Sequence, residues 1–245
     1  MDRLAVLILS LLLGLIPLLA YGQKLEEDLI KTSGGDLKIT FIGHSSLILT
    51  FGGKVIHCDP VTSEGNYQQL PQADLILITH DHYDHFDQEA LKILKKDSTV
   101  IAGPASCQSM VSGLKVMKNG DRLNLPGLEV EAVPAYNLIH RRPDGQPFHP
   151  RGAGNGYVLT FGDKKVYVAG DTENIPEMKN LKNIDIAFLP MNLPYTMTPE
   201  MVAEAAKWIK PAILYPYHYG DTNTARLVTL LKDTPEIEVR IRRMK

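Results

Sequence analysis

The sequence predicts a mixed α/β (α+β) fold organised as a sandwich. Three observations carry that reading. Apolar runs of strand length recur at short spacing from Leu37 to Ile241. Two pairs of runs are joined by tight glycine-containing turns, Gly52-Gly53 and Gly162-Asp163, the mark of a hairpin. Other runs lead into segments of helical period, so strands and helices alternate along the chain.

In order, residues 26–33 read as a lead-in and 37–42 alternate as a strand. Residues 46–51 and 54–58 form the first hairpin, with Asp59-Pro60 closing it. Residues 61–70 lack apolar rhythm and read as a loop near the mouth of a site. Leu75-Ile-Leu-Ile78 reads as a buried strand, and a helix follows in which Ala90, Leu91, Ile93 and Leu94 share a side and Asp87 is the N-cap. Short strands are expected at 99–102, 114–116, 122–125 and 128–133, with a short helix at 104–110. Residues 155–161 and 165–169 form the second hairpin. The remainder reads as a short helix at 173–181, a strand at 184–189, a helix begun by Thr198-Pro199, a strand at 212–215, a helix at 225–231 and a strand at 237–241.

With 245 residues, 44% of them hydrophobic, the chain can bury a substantial core, and one domain is the better prior. A formal net charge of −2 gives no sign of a nucleic-acid or anionic-membrane surface. At the N-terminus Arg3 precedes an apolar run from Leu4 to Ala20, and Ala20-Tyr21-Gly22 offers small residues for cleavage before Gln23. Residues 1–22 are therefore expected to be a signal peptide and 23–245 the folded domain, exported to a periplasmic or secreted location with no membrane span after cleavage. An uncleaved N-terminal anchor is the alternative. Cys58 and Cys107 are a candidate pair in an oxidising compartment, or two buried thiols.

The chemistry gathers between Thr79 and Asp87, where His80, His82, Asp84 and His85 stand just after the buried strand. Imidazole and carboxylate are the preferred ligands of zinc and related divalent ions. In an extended segment His80 and His82 point the same way, while Asp84 and His85 turn toward a second position. The long irregular loop of residues 134–156 adds His140 and His149, and loops of that length are usually functional. Its Arg141, Arg142 and Arg151 favour an anionic substrate, or are simply a solvated basic loop.

The His80-x-His82-x-Asp84-His85 run resembles the metal signature of the metallo-β-lactamase superfamily. Gly43-His44-Ser45, Asp59-Pro60, Gly170-Asp171-Thr172 and His218 follow the family's order, and the landmarks before the motif are similar to its lactonase-like branch, which includes proteins similar to ascorbate-6-phosphate lactonase. The resemblance implies a four-layer αββα sandwich and a metal-dependent hydrolase that uses two divalent ions on a small-molecule substrate. Zinc is the default, and manganese or iron would also suit the ligands. It implies that His80, His82 and a loop residue hold one ion, that Asp84, His85 and His218 hold the other, and that Asp171 bridges them. Many relatives have a third histidine where Asn137 stands here, which departs from the pattern. His149 is the favoured replacement, with His140, Asn137 or water as the alternatives. Asp59 would orient a ligand, or is a strand-end turn residue; His44 would line the site, or is a surface histidine. Asp84 would also orient the attacking water or accept its proton, and Tyr217 and Tyr219 would donate hydrogen bonds to substrate. His82 argues against the oxidoreductase branch, which commonly has glutamate there. Three functions stay open: hydrolysis of an ester, lactone or amide; a phosphodiesterase, including a phospholipase D-like one, which would need an exposed apolar patch beside the site; and a non-catalytic metal-binding module, supported only by Asn137.

Overall fold

The computed structural model describes residues 25–245, so the expected signal peptide, residues 1–22, lies outside the described residues. Two seven-stranded sheets face one another, and each is one continuous stretch of sequence. The first holds β1 (Glu26–Thr32), β2 (Gly35–Gly43), β3 (Ser46–Phe51), β4 (Lys54–Cys58), β5 (Leu75–Leu77), β6 (Val100–Gly103) and β7 (Lys115–Val116), in that spatial order. The second holds β8 (Arg122–Leu125), β9 (Leu128–Ala135), β10 (Gly154–Phe161), β11 (Lys164–Val168), β12 (Ile186–Pro190), β13 (Ile213–Tyr217) and β14 (Glu238–Val239). In each sheet the first four strands pair antiparallel and the last four parallel.

The layering follows from side-chain alternation. Leu75 and Leu77 of β5 point between the sheets, while Ile76 points to the outer face under α1 (Gln88–Leu94). Val166 and Val168 of β11 join the same central core, and Tyr167 faces outward toward α2 (Pro199–Ile209) and α3 (Thr224–Leu230). The result is helix, sheet, sheet, helix, with three apolar layers between them. Each fully buried Leu, Ile or Phe side chain contributes roughly 1.5–3 kcal/mol, which offsets much of the chain's ordering entropy. Local signals place the helices: Asp87 caps α1 by accepting from Glu89 N, and Thr198 caps α2 by accepting from Met201 N with Pro199 at the first turn.

Several expectations need correction. The lead-in of residues 26–33 is an edge strand, β1, paired antiparallel with β2. Its polarity is inverted, which hid it: Leu29 faces solvent, while Asp28 turns inward to ion-pair with Arg242. The expected helices near 104–110 and 173–181 are single 3₁₀ turns. The loop after Pro60 does not border the cleft that holds the histidines. It lines a separate cavity of about 730 Å³ with Tyr219 and Arg243. Cys58 and Cys107 are both free and buried. Among the described residues no helix is long and apolar enough to cross a membrane.

Candidate metal centre

The parallel strands set the site. Ligands of α/β sheets gather beyond the carboxyl ends of such strands. Asp59 follows β4, residues 79–87 follow β5, Asp171 follows β11, Asn192 follows β12 and His218 follows β13. His44 enters from the β2–β3 turn and His149 from the loop between β9 and β10. Three of these positions, His44, Asp59 and His218, have φ of 50°, 44° and 48°. A non-glycine residue in that left-handed region costs on the order of 1–3 kcal/mol and is held there only by its surroundings. Gly170 also has positive φ, and a Cβ there would lie 2.8 Å from the Asn155 carbonyl oxygen. Only glycine allows β11 to deliver Asp171 so close to β10.

Donor atoms converge in three overlapping groups: His80, His82 and His149; His44, Asp84, His85 and His218; and His80, His85 and Asp171. Within each group the donor atoms lie within 4.8 Å of one another. Asp171 joins them. Its Oδ2 lies 3.2 Å from His149 Nε2, 3.4 Å from His218 Nε2 and 3.9 Å from His80 Nε2, and its Oδ1 lies 3.3 Å from His85 Nε2. Two donors on one tetrahedral ion, each about 2.0–2.1 Å from it, stand about 3.4 Å apart, so these separations are those of ligands sharing an ion. The Nε2 atoms of His80, His85, His149 and His218 and Oδ1 of Asp171 are buried without a hydrogen bond. Buried polar atoms left unpaired are costly, and cations bound among them would satisfy them. The residues therefore fit a metal.

The histidines are aimed from behind. Asp59, a pure acceptor, takes His85 Nδ1 at 2.8 Å, Thr79 Oγ1 at 2.6 Å and Thr79 N at 2.7 Å. Because the Thr79 hydroxyl must donate to Asp59, its oxygen is left to accept from His80 Nδ1 at 3.0 Å. Asn137 Oδ1 accepts from His149 Nδ1 at 2.6 Å and from His149 N at 2.9 Å. Each bond consumes the Nδ1 proton and turns Nε2 into the cluster. Asn137 is held in turn: its amide donates to Glu173 Oε1 at 3.2 Å and to the Tyr195 carbonyl at 2.9 Å. The buried Glu173 carboxylate also accepts from the backbone N–H of Leu138, Ile139 and His140.

Electrostatics follow from burial and from the carboxylates. Burial, aided by the neighbouring His85, holds His80 well below the ordinary imidazole value, and burial and His149 lower His82. Burial also works against a charged His85, but Asp171 and Asp59 overrule it and hold that imidazole well above its usual value. For Asp171, burial opposes ionisation, yet His218 and His85 keep its carboxyl well below the usual range. Asp84 is likewise kept ionised against burial by His218 and His44.

The structure brings His80, His82, Asp84, His85, His149, Asp171, His218 and His44 into one cluster, with Asp59 and Asn137 directly behind it. His140, an alternative to the favoured His149, stands outside the cluster, its Nδ1 2.6 Å from Glu173 Oε1. Tyr217 cannot reach a substrate: it is fully buried among the inward-facing residues of β13. Tyr219 also points away, donating its hydroxyl to the Arg242 carbonyl at 2.7 Å. The walls of the cleft, about 430 Å³, come instead from Tyr83, Arg142, Phe148, Asn192 and Tyr195. The sequence reading missed Thr79 and Glu173 as supports. Thr79 was signalled by its place between strand and histidines; Glu173 had no signal beyond adjacency to Asp171.

Comparison with known proteins agrees with this geometry. Residues 38–218 match the family model described as a beta-lactamase superfamily domain. A UPF0173 metal-dependent hydrolase of Methanopyrus kandleri is 30% identical over 197 residues, covering 75% of this chain and 84% of that protein. A crystal structure from Parabacteroides distasonis, provisionally named a metal-dependent hydrolase, superposes with a TM-score of 0.87 at 49% identity, over 91% of this chain and all of that one. The metallo hydrolase Igni18 of Ignicoccus hospitalis shares the fold, with a TM-score of 0.70 at 24% identity over 85% of this chain and 95% of its own. Two sheets flanked by helices, with a His/Asp cluster at their shared end, thus belong to a metal-dependent hydrolase, and the chain is a member of the beta-lactamase superfamily.

Proposed function

We propose that this hydrolase uses two divalent ions, zinc by default, to split a small ester, lactone or amide. The observation that carries the reading is Asp171, whose two oxygens face both histidine groups at once. On this reading His80, His82 and His149 would hold one ion, Asp84, His85 and His218 the other, with Asp171 within reach of both groups. Bound there, the ions would supply an acidified water and a polarised carbonyl. The chain's own groups do the rest. Asp84, ionised and beside the cleft, would orient the attacking water. His44, with Nε2 3.3 Å from Asp84 Oδ2, fixes that carboxylate. Phe148 and Tyr195, with rings 5.1 Å apart, form an apolar wall against which the acyl group rests.

A second reading has its own support. Tyr83, Leu138, Ile139, Leu193 and Tyr195 are exposed, and all lie on loops around the cleft. An apolar rim of this kind suits a phosphodiester that carries an apolar group. The third reading, a non-catalytic module, rested on Asn137 replacing a histidine; the grouping of His149 with His80 and His82, and its bond to Asn137, favour the hydrolase reading over it. Export after cleavage near Gly22 stands as a proposal beside these.

The test is metal content by elemental analysis, with hydrolysis of a lactone, a phosphodiester and a β-lactam followed in parallel. The expected result is about two equivalents of metal in the native protein, falling toward one in His149→Ala. Unchanged metal in that variant removes His149 from the set, and no metal after reconstitution sinks the two-ion reading.

A further inference from the structure

The three arginines of the 134–156 loop have different fates. Arg151 is neutralised by Glu177 at 2.6 Å and lies over the Tyr136 ring. Arg141 donates to the Gly145 carbonyl, away from the cleft. Arg142 alone of the three lines the cleft, and among the described residues no carboxylate pairs with it. Its Nη2 lies 3.2 Å from the Phe148 carbonyl oxygen and 3.5 Å from His82 Nε2, with the guanidinium 5.4 Å from the centre of the Phe148 ring. Its backbone is tied into a closed turn, with N bonded to the Gln146 carbonyl and its own carbonyl to Gly145 N. The side chain is exposed, but its base is fixed.

His82 is a candidate ligand, and an ion held beside it would stand close to the Arg142 guanidinium as a second cation. Like charges that close repel, unless an anion lies between them. We infer that Arg142 reads an anionic group, a carboxylate or a phosphate, on the substrate next to the bond that is cleaved. This deepens the hydrolase reading above and rests on it. The planar fork of arginine suits either group by paired hydrogen bonds, and the ring of Phe148 beneath it limits its freedom. The apolar rim then takes the rest of the molecule, so the substrate class is an acid with an apolar portion.

The test compares γ-butyrolactone with its ring-carboxylate derivative in the native protein, Arg142→Ala, Arg142→Lys and the control Arg151→Ala. Inorganic phosphate binding is measured by calorimetry on the same metal-loaded samples, and metal content is checked for each. The native protein and Arg151→Ala should prefer the carboxylated lactone in kcat/KM, and Arg142→Ala should lose about tenfold or more of that preference, mostly through KM. Arg142→Lys should keep part of it, since charge remains but the fork is lost. Phosphate should bind about tenfold more weakly to Arg142→Ala. The same substrate ratio and phosphate affinity in native protein and Arg142→Ala would overturn the proposal, as would loss of metal from that variant. If neither lactone is cleaved, the substrate reading falls, while the phosphate comparison still decides the role of Arg142.

Discussion

The two halves of the centre are held in place by different chemistry. Behind His85 stands a carboxylate, Asp59; behind His149 stands an amide, Asn137. A carboxylate orients an imidazole and raises its basicity, whereas an amide carbonyl mainly orients it. The choice follows from what lies one step further back. Asp59 meets only donors, Thr79 N, Thr79 Oγ1 and His85 Nδ1. Asn137 must accept from His149 and donate to Glu173, and a carboxylate cannot do both. A side chain between a histidine and an anion has to be two-faced, so the departure from the family pattern at residue 137 is a consequence of Glu173.

The comparison can be broken most severely at Asp59. Asp59→Asn keeps the shape but cannot accept three donors, and removal of one partner from a buried charged network costs about 3–5 kcal/mol. Denaturant unfolding should show that loss, with metal affinity down about 10–100-fold on the His85 side. Asn137→Ala should cost less, about 1–3 kcal/mol, and loosen one equivalent of metal rather than both. Asn137→Asp sharpens the contrast: it keeps the acceptor for His149 but faces Glu173 with a second carboxylate. Its melting temperature should therefore fall at least as far as that of Asn137→Ala; a rise would show that the amide is not required.

His57 separates acid effects on the fold from those on the centre. It lies in β4 with Nε2 3.0 Å from the Pro71 carbonyl, and burial lowers its pKa to about 4. The unfolded chain, with imidazole near 6.5, takes up the proton first as pH falls. Stability is thus present above pH 6.5 and is lost toward pH 4, by about 3 kcal/mol in all. His57→Gln should flatten that acid limb of the unfolding curve while metal still leaves with the other histidines. The smallest effect is expected at Tyr217. Tyr217→Phe removes a buried hydroxyl that does not line the cleft, and should leave KM unchanged and stability within about 1 kcal/mol.

The sandwich was legible because its hairpins carry glycine turns and because the ligand run follows a clean apolar strand. Asp171 and His218 were legible by their place after such strands. Tyr217 was not, because β13 is buried on both faces and continuous burial erases the alternation that tells inside from outside. The decision between His140 and His149 was not legible either. Both lie in a loop without period, and Glu173, 24 residues from His149, settles which of them faces the cluster. Edge strand β1 escaped because Ile30 is the lone apolar residue on its inward face, where Asp28 stands as an ion-pair partner.

Each sheet is one unbroken stretch of chain, and this matters for the order in which the molecule is made. A ribosome delivers the His80–His85 run with the first sheet, long before His149, Asp171 and His218 exist. Domains generally fold as units, and the two sheets share one core, so the run waits for its partners until the second sheet has been made. On the proposed assignment the shared carboxylate comes from the second sheet, and no nascent chain shorter than residue 218 has a full set. On that assignment, capture of metal is a finishing step in biogenesis, one that marks chains in which the two halves have met.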